Sequence, residues 1–232
     1  MLIRRVPAIS VAIVLAFSWD HPSLMGAGIR LDGGRSHVIV GEGSGLSTPQ
    51  FTVECWFKWQ GRGEAISTGV GGVTALPLLA RGGGETDGTG FGLNYFLGLD
   101  PATGRVVADF QDLFGGHHHP VTSGGSVAQN AWTHAAAVFN GKTWRLYVNG
   151  RLEVDQSLVT VSRIDSRQMN ALGTTLDGYG FPDGFFHGLL DECRVWNRAR
   201  TAEEIAGAIN RQISQAEGLV ARWAFEETGG TT

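Results

Sequence analysis

The chain has 232 residues, of which 42% are hydrophobic and 17% are charged, and its formal net charge is −4. Glycine is the compositional outlier: its 35 residues are about twice the ~7% share of ordinary soluble proteins. The chain has no basic stripe and no long helical or heptad pattern, which argues against a nucleic-acid partner and against a coiled coil.

The N-terminus carries an apolar segment behind two arginines. Arg4 and Arg5 precede the apolar run Val6–Phe17, which is shorter than the ~20 residues that span a bilayer and is typical of a secretory signal peptide. We therefore assign residues 1–27 to a signal peptide. Small residues also allow cleavage after Ser18 or Gly28, and a buried N-terminal strand is the alternative. The mature protein is expected to be secreted, periplasmic or at the cell surface, with no membrane span.

Segments of alternating apolar and polar residues follow at short spacing, which is typical of a sandwich of antiparallel strands. The clearest is Phe51–Trp59, in which Phe51, Val53, Cys55, Phe57 and Trp59 share one face. The remaining predicted strands are Gly28–Leu31, His37–Val40, Leu76–Arg81, Phe91–Leu99, Val106–Phe110, Trp132–Asn140, Thr143–Val148, Leu152–Asp155 and His187–Trp196.

One short helix is predicted near the C-terminus. Thr201 and Glu204 have the spacing of a capping box, in which each side chain satisfies a backbone N–H of the first turn. Ile205 and Ile209 give this helix a single apolar face.

Three long loops interrupt the strand pattern: Gly61–Thr74, Gly82–Gly90 and Asp112–Gly125. Loops of this length often carry function in a compact domain, although some are only flexible. The third contains His117, His118 and His119. Three consecutive imidazoles cannot all face one ion, so a weak surface metal site with Asp109 and Asp112 is secondary to a solvated loop.

The chain has two cysteines, Cys55 and Cys193. In an exported chain such a pair predicts a disulfide. Two buried free thiols are the alternative, because cysteine is among the most buried residue types.

Four segments resemble the laminin-G-like jelly rolls of the concanavalin A-like lectin and glucanase superfamily, of the bacterial secreted or surface type. The segments are Gly28–Gly33, Phe51–Lys58, Trp132–Gly150 and Gly188–Arg198. Their order matches over residues 28–212, and the resemblance implies an all-β jelly roll of two packed antiparallel sheets that binds through its loops or concave face. Residues 213–232 are a linker followed by a closing strand or the start of a further module, as expected in a larger multi-domain chain.

The residues give little support to catalysis. Glycoside hydrolysis needs two carboxylates about 5–10 Å apart, and adjacent Asp191 and Glu192 would point to opposite faces of a strand. We therefore predict a non-catalytic recognition or adhesion module that binds carbohydrate. The alternatives are a protein-interaction or architectural module whose partner is an extracellular protein, and a glycan-active hydrolase whose motif is unfamiliar.

The candidate ligand-binding residues are Trp56, Asp112, His117 and Trp144. Aromatic rings stack on the apolar faces of sugars when they are exposed, although tryptophans at these positions also serve as core residues. We assign Trp132, His134 and Trp196 to the core.

The resemblance implies one candidate cofactor, a structural calcium ion. Relatives of this fold often hold a structural calcium where the first and last strands meet, and calcium prefers clustered oxygen ligands. Asp32 and Asp191 are the candidate ligands. The alternative places Asp32 in an Asp-Gly turn and Asp191 at a strand edge.

Overall fold

The computed structural model describes residues 28–41, 45–83 and 92–226, which form strands and one helix. The strands are β1 (Ile29–Asp32), β2 (Val38–Val40), β3 (Phe51–Glu64), β4 (Ile66–Ser67), β5 (Thr74–Arg81), β6 (Tyr95–Asp100), β7 (Arg105–Asp109), β8 (Val121–Ser126), β9 (Trp132–Phe139), β10 (Thr143–Val148), β11 (Arg151–Ser157), β12 (Asn170–Leu172), β13 (Thr175–Leu176), β14 (Pro182–Asp183), β15 (Phe185–Trp196) and β16 (Leu219–Trp223). The helix α1 (Ala202–Ala208) lies between β15 and β16.

Two antiparallel sheets contain nearly all of these strands. The first has the order β1-β15-β3-β9-β10-β11, with β16 also paired to β15, and the second has the order β2-β12-β5-β6-β7-β8, with β4 paired to β5. Strands β13 and β14 form a separate hairpin. Consecutive strands β5-β6-β7-β8 and β9-β10-β11 lie side by side, whereas β1-β15-β3-β9 and β2-β12-β5 join distant parts of the chain, as in a jelly roll. The predicted all-β sandwich with one short helix near the C-terminus is therefore confirmed.

The core lies between the two sheets, and β3 crosses its centre. The five residues predicted to share a face of β3 all point into this core, and none is more than 5% exposed. Leu76 and Leu97 of the second sheet belong to the same cluster. Period-2 alternation along β3 thus identifies the core face correctly.

Helix α1 covers the outer face of the first sheet. Its predicted capping box is present: Thr201 Oγ1 accepts the Glu204 N–H at 3.2 Å, and the Glu204 carboxylate accepts the Thr201 N–H at 2.8 Å. Ile205 and Ile209 are buried, the second of them against Trp56. Both faces of β3 are consequently removed from water over residues 51–57.

Strands run into two segments that the sequence analysis predicted as loops. β3 continues to Glu64 before β4 begins at Ile66, and β8 begins at Val121. The glycines and serines of β8 have low strand propensity, which is why the pattern missed it. Only Gly82 and Gly83 of the predicted loop Gly82–Gly90 lie within the described residues.

The C-terminal segment completes the first sheet. In the β15–β16 ladder Cys193 lies opposite Trp223, and Trp196 lies opposite Leu219. This pairing favours the closing-strand interpretation of the segment. The predicted signal peptide, residues 1–27, lies outside the described residues. Within the described ranges no helix is long and apolar enough to cross a membrane.

Cys55 and Cys193 are both fully buried in the core and are not bonded to each other. The thiols nevertheless lie side by side, and burial together with the neighbouring Cys55 sulfur raises the pKa of Cys193 well above its ordinary value. The structure therefore agrees with the alternative of two buried thiols and does not show the predicted disulfide.

Candidate ligand-binding loop

The segment between β7 and β8, residues 110–120, forms a compact loop that we call the histidine loop. Its backbone is closed by hydrogen bonds from the Asp112 N–H to the His117 carbonyl at 3.0 Å and from the His119 N–H to the Phe110 carbonyl at 3.0 Å. Asp112 also bridges to Ser162 of the following crossover. Backbone hydrogen bonds within the loop and the bridge to Ser162 therefore fix its conformation. The sequence alone left open whether this loop is merely flexible.

The Asp112 carboxylate lies at the centre of the loop. Its Oδ1 accepts the Gly115 N–H at 2.7 Å, and its Oδ2 lies 3.3 Å from His117 Nδ1 and 3.2 Å from His119 Nε2. Partial burial raises the pKa of Asp112, but these hydrogen bonds outweigh burial and hold the pKa below its ordinary value. The structure thus brings together two predicted site residues, Asp112 and His117.

A second carboxylate anchors the middle histidine. His118 Nδ1 lies 2.7 Å from Asp109 Oδ2, and the same oxygen accepts the Thr68 hydroxyl at 2.6 Å. The other ring nitrogen lies 3.1 Å from the amide nitrogen of Gln111, whose oxygen accepts the Leu93 N–H. This network assigns the tautomer: Nδ1 donates to Asp109 and Nε2 accepts from Gln111.

Close backbone packing adds to this anchor. A Cβ at Gly72 would overlap the Thr68 hydroxyl and lie 2.8 Å from the Asp109 carboxylate. Only glycine therefore fits where the segment before β5 crosses the buried His118.

Trp144 supports the histidine loop from below. Its side chain is fully buried, and its indole N–H donates to the His119 carbonyl at 2.9 Å. Phe110 packs edge-to-face against it with ring centroids 5.1 Å apart. The prediction that Trp144 offers a ring to a ligand does not fit this burial; the residue positions the loop instead.

The exposed side chains of the loop include a phenylalanine and a histidine. Phe114 is 83% exposed, and the His117 side chain is 78% exposed. The same loop thus presents an aromatic ring and an imidazole that is fixed by a carboxylate. This combination offers an apolar face and directional hydrogen-bonding groups to a ligand. Phe114 was not singled out by the sequence, because a lone phenylalanine in a polar loop has no periodicity to interpret.

Trp56 lies far from this loop in the fold, on the outer face of β3. It is fully buried, its indole N–H donates to the Ile209 carbonyl at 2.9 Å, and its ring meets His134 edge-to-face. The prediction that Trp56 stacks on a ligand therefore does not fit its position. The alternation of β3 placed it correctly on the outer face, but the segment after α1 covers that face.

A buried ionic cluster lies beside Trp56. Glu54 accepts hydrogen bonds from Arg200 Nη1 at 2.8 Å, Arg194 Nη1 at 3.3 Å and Trp196 Nε1 at 3.0 Å. Burial raises the pKa of Glu54, but His134 and the two guanidinium groups outweigh it and hold the pKa well below its ordinary value. Both carboxylate oxygens of Glu54 are hydrogen-bonded within the protein.

The cluster extends to the C-terminal strand. Glu192 lies in the irregular stretch of β15 at a φ of 47° and accepts hydrogen bonds from Arg194 at 3.0 Å and Arg222 at 2.9 Å. Arg222 also reaches Glu226. The sequence analysis missed this cluster because its members are distant in the chain.

The two proposed calcium ligands are not brought together. Asp32 lies opposite His187, whereas Asp191 follows Leu190, the partner of Ile29. Four strand positions separate them, which corresponds to about 13 Å. Across the described residues no three His, Cys, Asp or Glu side chains are arranged to hold a metal ion.

Each of these aspartates has local partners. Asp32 Oδ1 accepts the N–H groups of Gly34, Arg35 and Ser36, each at 3.0 Å. A hydrogen bond with the Ser36 side chain, together with these backbone hydrogen bonds, holds the pKa of the Asp32 carboxyl well below its ordinary value. Asp191 is buried and accepts the Glu192 N–H at 2.8 Å. The turn interpretation of Asp32 fits this geometry, and these two carboxylates do not approach each other.

A comparison with models of protein families identifies the superfamily that has this architecture. The laminin-G-type model of the concanavalin A-like lectin/glucanases superfamily matches residues 32–206. The chain belongs to this superfamily. The resemblance of the sequence segments to this superfamily is thereby confirmed, and the matched residues include the histidine loop, β3 and the first five residues of α1.

Solved structures share the sandwich at low identity. A protein from Bacteroides ovatus ATCC 8483, provisionally assigned as carbohydrate-binding, aligns with a TM-score of 0.62 and 17% identity over 88% of this chain and 54% of its own. The superfamily member thus spans about half of that protein. A heptameric SAP-like pentraxin from Limulus polyphemus aligns at 0.56 and 13% identity over 85% and 88% of the two chains.

A third structure is the CBM40 of Ruminococcus gnavus IT-sialidase bound to α2,3 sialyllactose. It aligns at 0.54 with 18% identity over 75% of this chain and 96% of its own. At such identities the likeness establishes the fold alone. A comparison with curated proteins finds no match to this superfamily member.

Proposed function

We propose that this chain is a glycan-binding module and that the histidine loop is its binding site. The observation that carries the proposal is that Phe114 and His117 are both exposed on one loop, whose backbone is fixed by two buried carboxylates, Asp109 and Asp112. A ring stacks on the apolar face of a sugar, and the imidazole exchanges hydrogen bonds with its hydroxyl groups.

Rigidity of the loop supports this function. Binding by a mobile loop loses affinity to the entropy of ordering it, whereas a preformed loop avoids that cost. Here Asp112 organises the tip, and Trp144 holds the His119 carbonyl from below. The carbohydrate ligand named for the CBM40 structure supports the same class of ligand for this fold.

The carboxylates of β15 do not favour a hydrolase. Glu192 is buried and bonded to Arg194 and Arg222, and Asp191 is buried and bonded to the Glu192 N–H. Neither faces an open groove as an acid/base pair would. Export to the cell surface or beyond is part of the same proposal and rests on the pattern of residues 1–27.

The test is binding of the full chain to an array of glycans and polysaccharides, in calcium and in chelator. Phe114→Ala and His117→Ala are expected to weaken each signal, and the control Leu152→Ala, which truncates an exposed apolar residue of β11, is expected to leave it unchanged. Glycan binding that is lost in chelator would show that the protein holds a calcium ion when it binds. An array without signal from folded protein would overturn the proposal in favour of a protein partner.

A further inference from the structure

Two turns of the first sheet contain an asparagine followed by a glycine. Asn140 and Gly141 connect β9 with β10, and Asn149 and Gly150 connect β10 with β11. Such a pair is prone to lose the asparagine side-chain amide, because the main-chain nitrogen of glycine reaches that side chain with no Cβ in the way. The structure gives the two pairs different surroundings, so we expect them to differ in reactivity.

The turn between β9 and β10 is open, and its asparagine amide is polarised. Asn140 Oδ1 accepts the N–H groups of Lys142 at 2.9 Å and Thr143 at 2.7 Å. When a nucleophile attacks the amide carbon, negative charge develops on this oxygen, and two backbone donors already point at it. The nearest atoms to a Cβ at Gly141, other than its chain neighbours, would lie 4.0 Å away. The turn therefore has room to rearrange during the reaction.

The turn between β10 and β11 is packed beneath the helix. A Cβ at Gly150 would lie 3.4 Å from Ala206 Cα and 3.5 Å from Ile209 Cδ1, at the C-terminal end of α1. Asn149 is also tied to the neighbouring strand, because its Oδ1 accepts the His134 N–H at 2.9 Å and its own N–H donates to the His134 carbonyl at 2.8 Å. The chain at Gly150 therefore rearranges only if α1 moves away.

We infer that Asn140 is a site of spontaneous deamidation and that α1 protects Asn149 from the same reaction. The main-chain nitrogen of Gly141 loses its proton to the solvent and attacks Cγ of Asn140, which closes a succinimide ring as the Nδ2 group leaves as ammonia. Water then opens the ring at either carbonyl and gives aspartate or isoaspartate. The net reaction consumes water, releases ammonia and needs no oxidant, enzyme or cofactor.

Isoaspartate at this turn weakens the support of the histidine loop. The Lys142 carbonyl accepts the Leu158 N–H at 2.8 Å, which fixes the segment that follows β11. The same segment holds the histidine loop, because the Leu113 N–H donates to the Val161 carbonyl at 2.9 Å. Isoaspartate adds a methylene group to the main chain at Asn140, so the turn and the segment bonded to it no longer keep their present register. The reaction needs no ligand, so it proceeds whether or not the loop binds a glycan.

The test is storage of the full chain in mildly alkaline buffer, followed by tryptic peptide mapping with mass spectrometry. Trypsin separates the two pairs, because residues 106–142 and 146–151 form different peptides. In the folded protein Asn140 is expected to react about tenfold faster than Asn149, because reaction beneath α1 needs local opening. In urea, where α1 no longer covers Gly150, the two asparagines are expected to react at similar rates.

Two variants separate the reaction from its consequence. Asn140→Gln keeps an amide whose longer side chain disfavours ring closure, and it is expected to stay unmodified at this position. Asn140→Asp supplies the aspartate product with an ordinary main chain, and it is expected to keep wild-type hydrogen exchange in residues 110–120.

Stored wild-type protein rich in isoaspartate is expected to exchange faster in residues 110–120 than fresh protein. Unchanged exchange there would overturn the link between this turn and the histidine loop. Equal rates at Asn140 and Asn149 in the folded protein, or a faster reaction at Asn149, would overturn the assignment of the site.

Discussion

The indole of Trp144 donates its N–H to the carbonyl of His119 at 2.9 Å, from inside the core to the base of the histidine loop. This bond joins the core of the sandwich to the histidine loop. It explains why Trp144 belongs to the candidate site without touching a ligand.

Replacing Trp144 with phenylalanine tests this link. The variant keeps an aromatic ring but leaves the His119 carbonyl without its donor, which is expected to cost about 1–3 kcal/mol of unfolding free energy. Urea denaturation measures the cost, and hydrogen exchange in residues 110–120 is expected to accelerate. Trp223→Phe, on the partly buried edge strand β16, is the control. Unchanged exchange in the loop would contradict the positioning role.

The charge of Glu54 is required by the guanidinium groups around it. Glu54→Gln leaves buried Arg200 without its carboxylate and Arg194 with that of Glu192 alone, and breaking a buried pair in this way costs about 3–5 kcal/mol. Glu64→Gln lies on the same strand but is exposed, so its effect is expected to stay within about 0.5 kcal/mol. Urea denaturation measures both variants. Equal stabilities would show that the charge of Glu54 does not stabilise the buried guanidinium groups.

Acid is expected to weaken the ion pair that fixes the start of α1. The hydrogen bond from Arg198 lowers the pKa of Glu204 from 4.5 to about 2. Because the folded pKa is depressed, the stabilisation is present above pH 4.5 and is lost as pH falls toward 2. Glu204→Gln keeps a capping side chain without the charge. Its stability deficit relative to wild type is expected to shrink over that range, and a deficit independent of pH would contradict the assignment.

The C-terminal strand is expected to be an integral part of the domain. Arg222→Gln removes one of the two guanidinium partners of buried Glu192 and is expected to lower the melting temperature by several degrees. Deletion of residues 213–232 is expected to lower it further, because β15 also loses its β16 partner. Arg145→Gln breaks the exposed pair with Asp155 and is the control, with an effect below about 1 kcal/mol. A deletion variant as stable as the full chain would contradict this role.

The two thiols give a direct test of the redox state. In the structure Cys55 and Cys193 are buried and unbonded, so a thiol reagent is expected to react slowly with the native protein. After unfolding without reductant, two reactive thiols per chain are expected. Finding none would establish the disulfide that the pairing of cysteines in an exported chain predicts.

Local patterns in the sequence predict most of the architecture. The alternation of Phe51–Trp59 identifies the core face of β3, and the Thr201–Glu204 spacing identifies the start of α1. Both patterns span only a few consecutive residues, so they can be recognised in the sequence before the fold is known.

The site depends instead on contacts between distant segments. Thr68 meets Asp109 across 41 residues, and Glu54 meets Arg194 across 140. Burial of Trp56 needs the Ile209 segment to fold over it. No local period encodes these contacts, which is why the sequence locates Asp112 and His117 in a notable loop but does not single out Phe114 or reveal that the two tryptophans are enclosed.

Titration of one polysaccharide against wild type, Phe114→Ala and Leu152→Ala tests the central claim most directly. The polysaccharide is the one on the array to which the wild-type protein binds most strongly. If the histidine loop is the binding site, Phe114→Ala weakens binding by about tenfold or more, and Leu152→Ala binds as wild type does. Equal affinities for all three proteins, with each shown to be folded, would contradict the account and place the glycan elsewhere on the molecule.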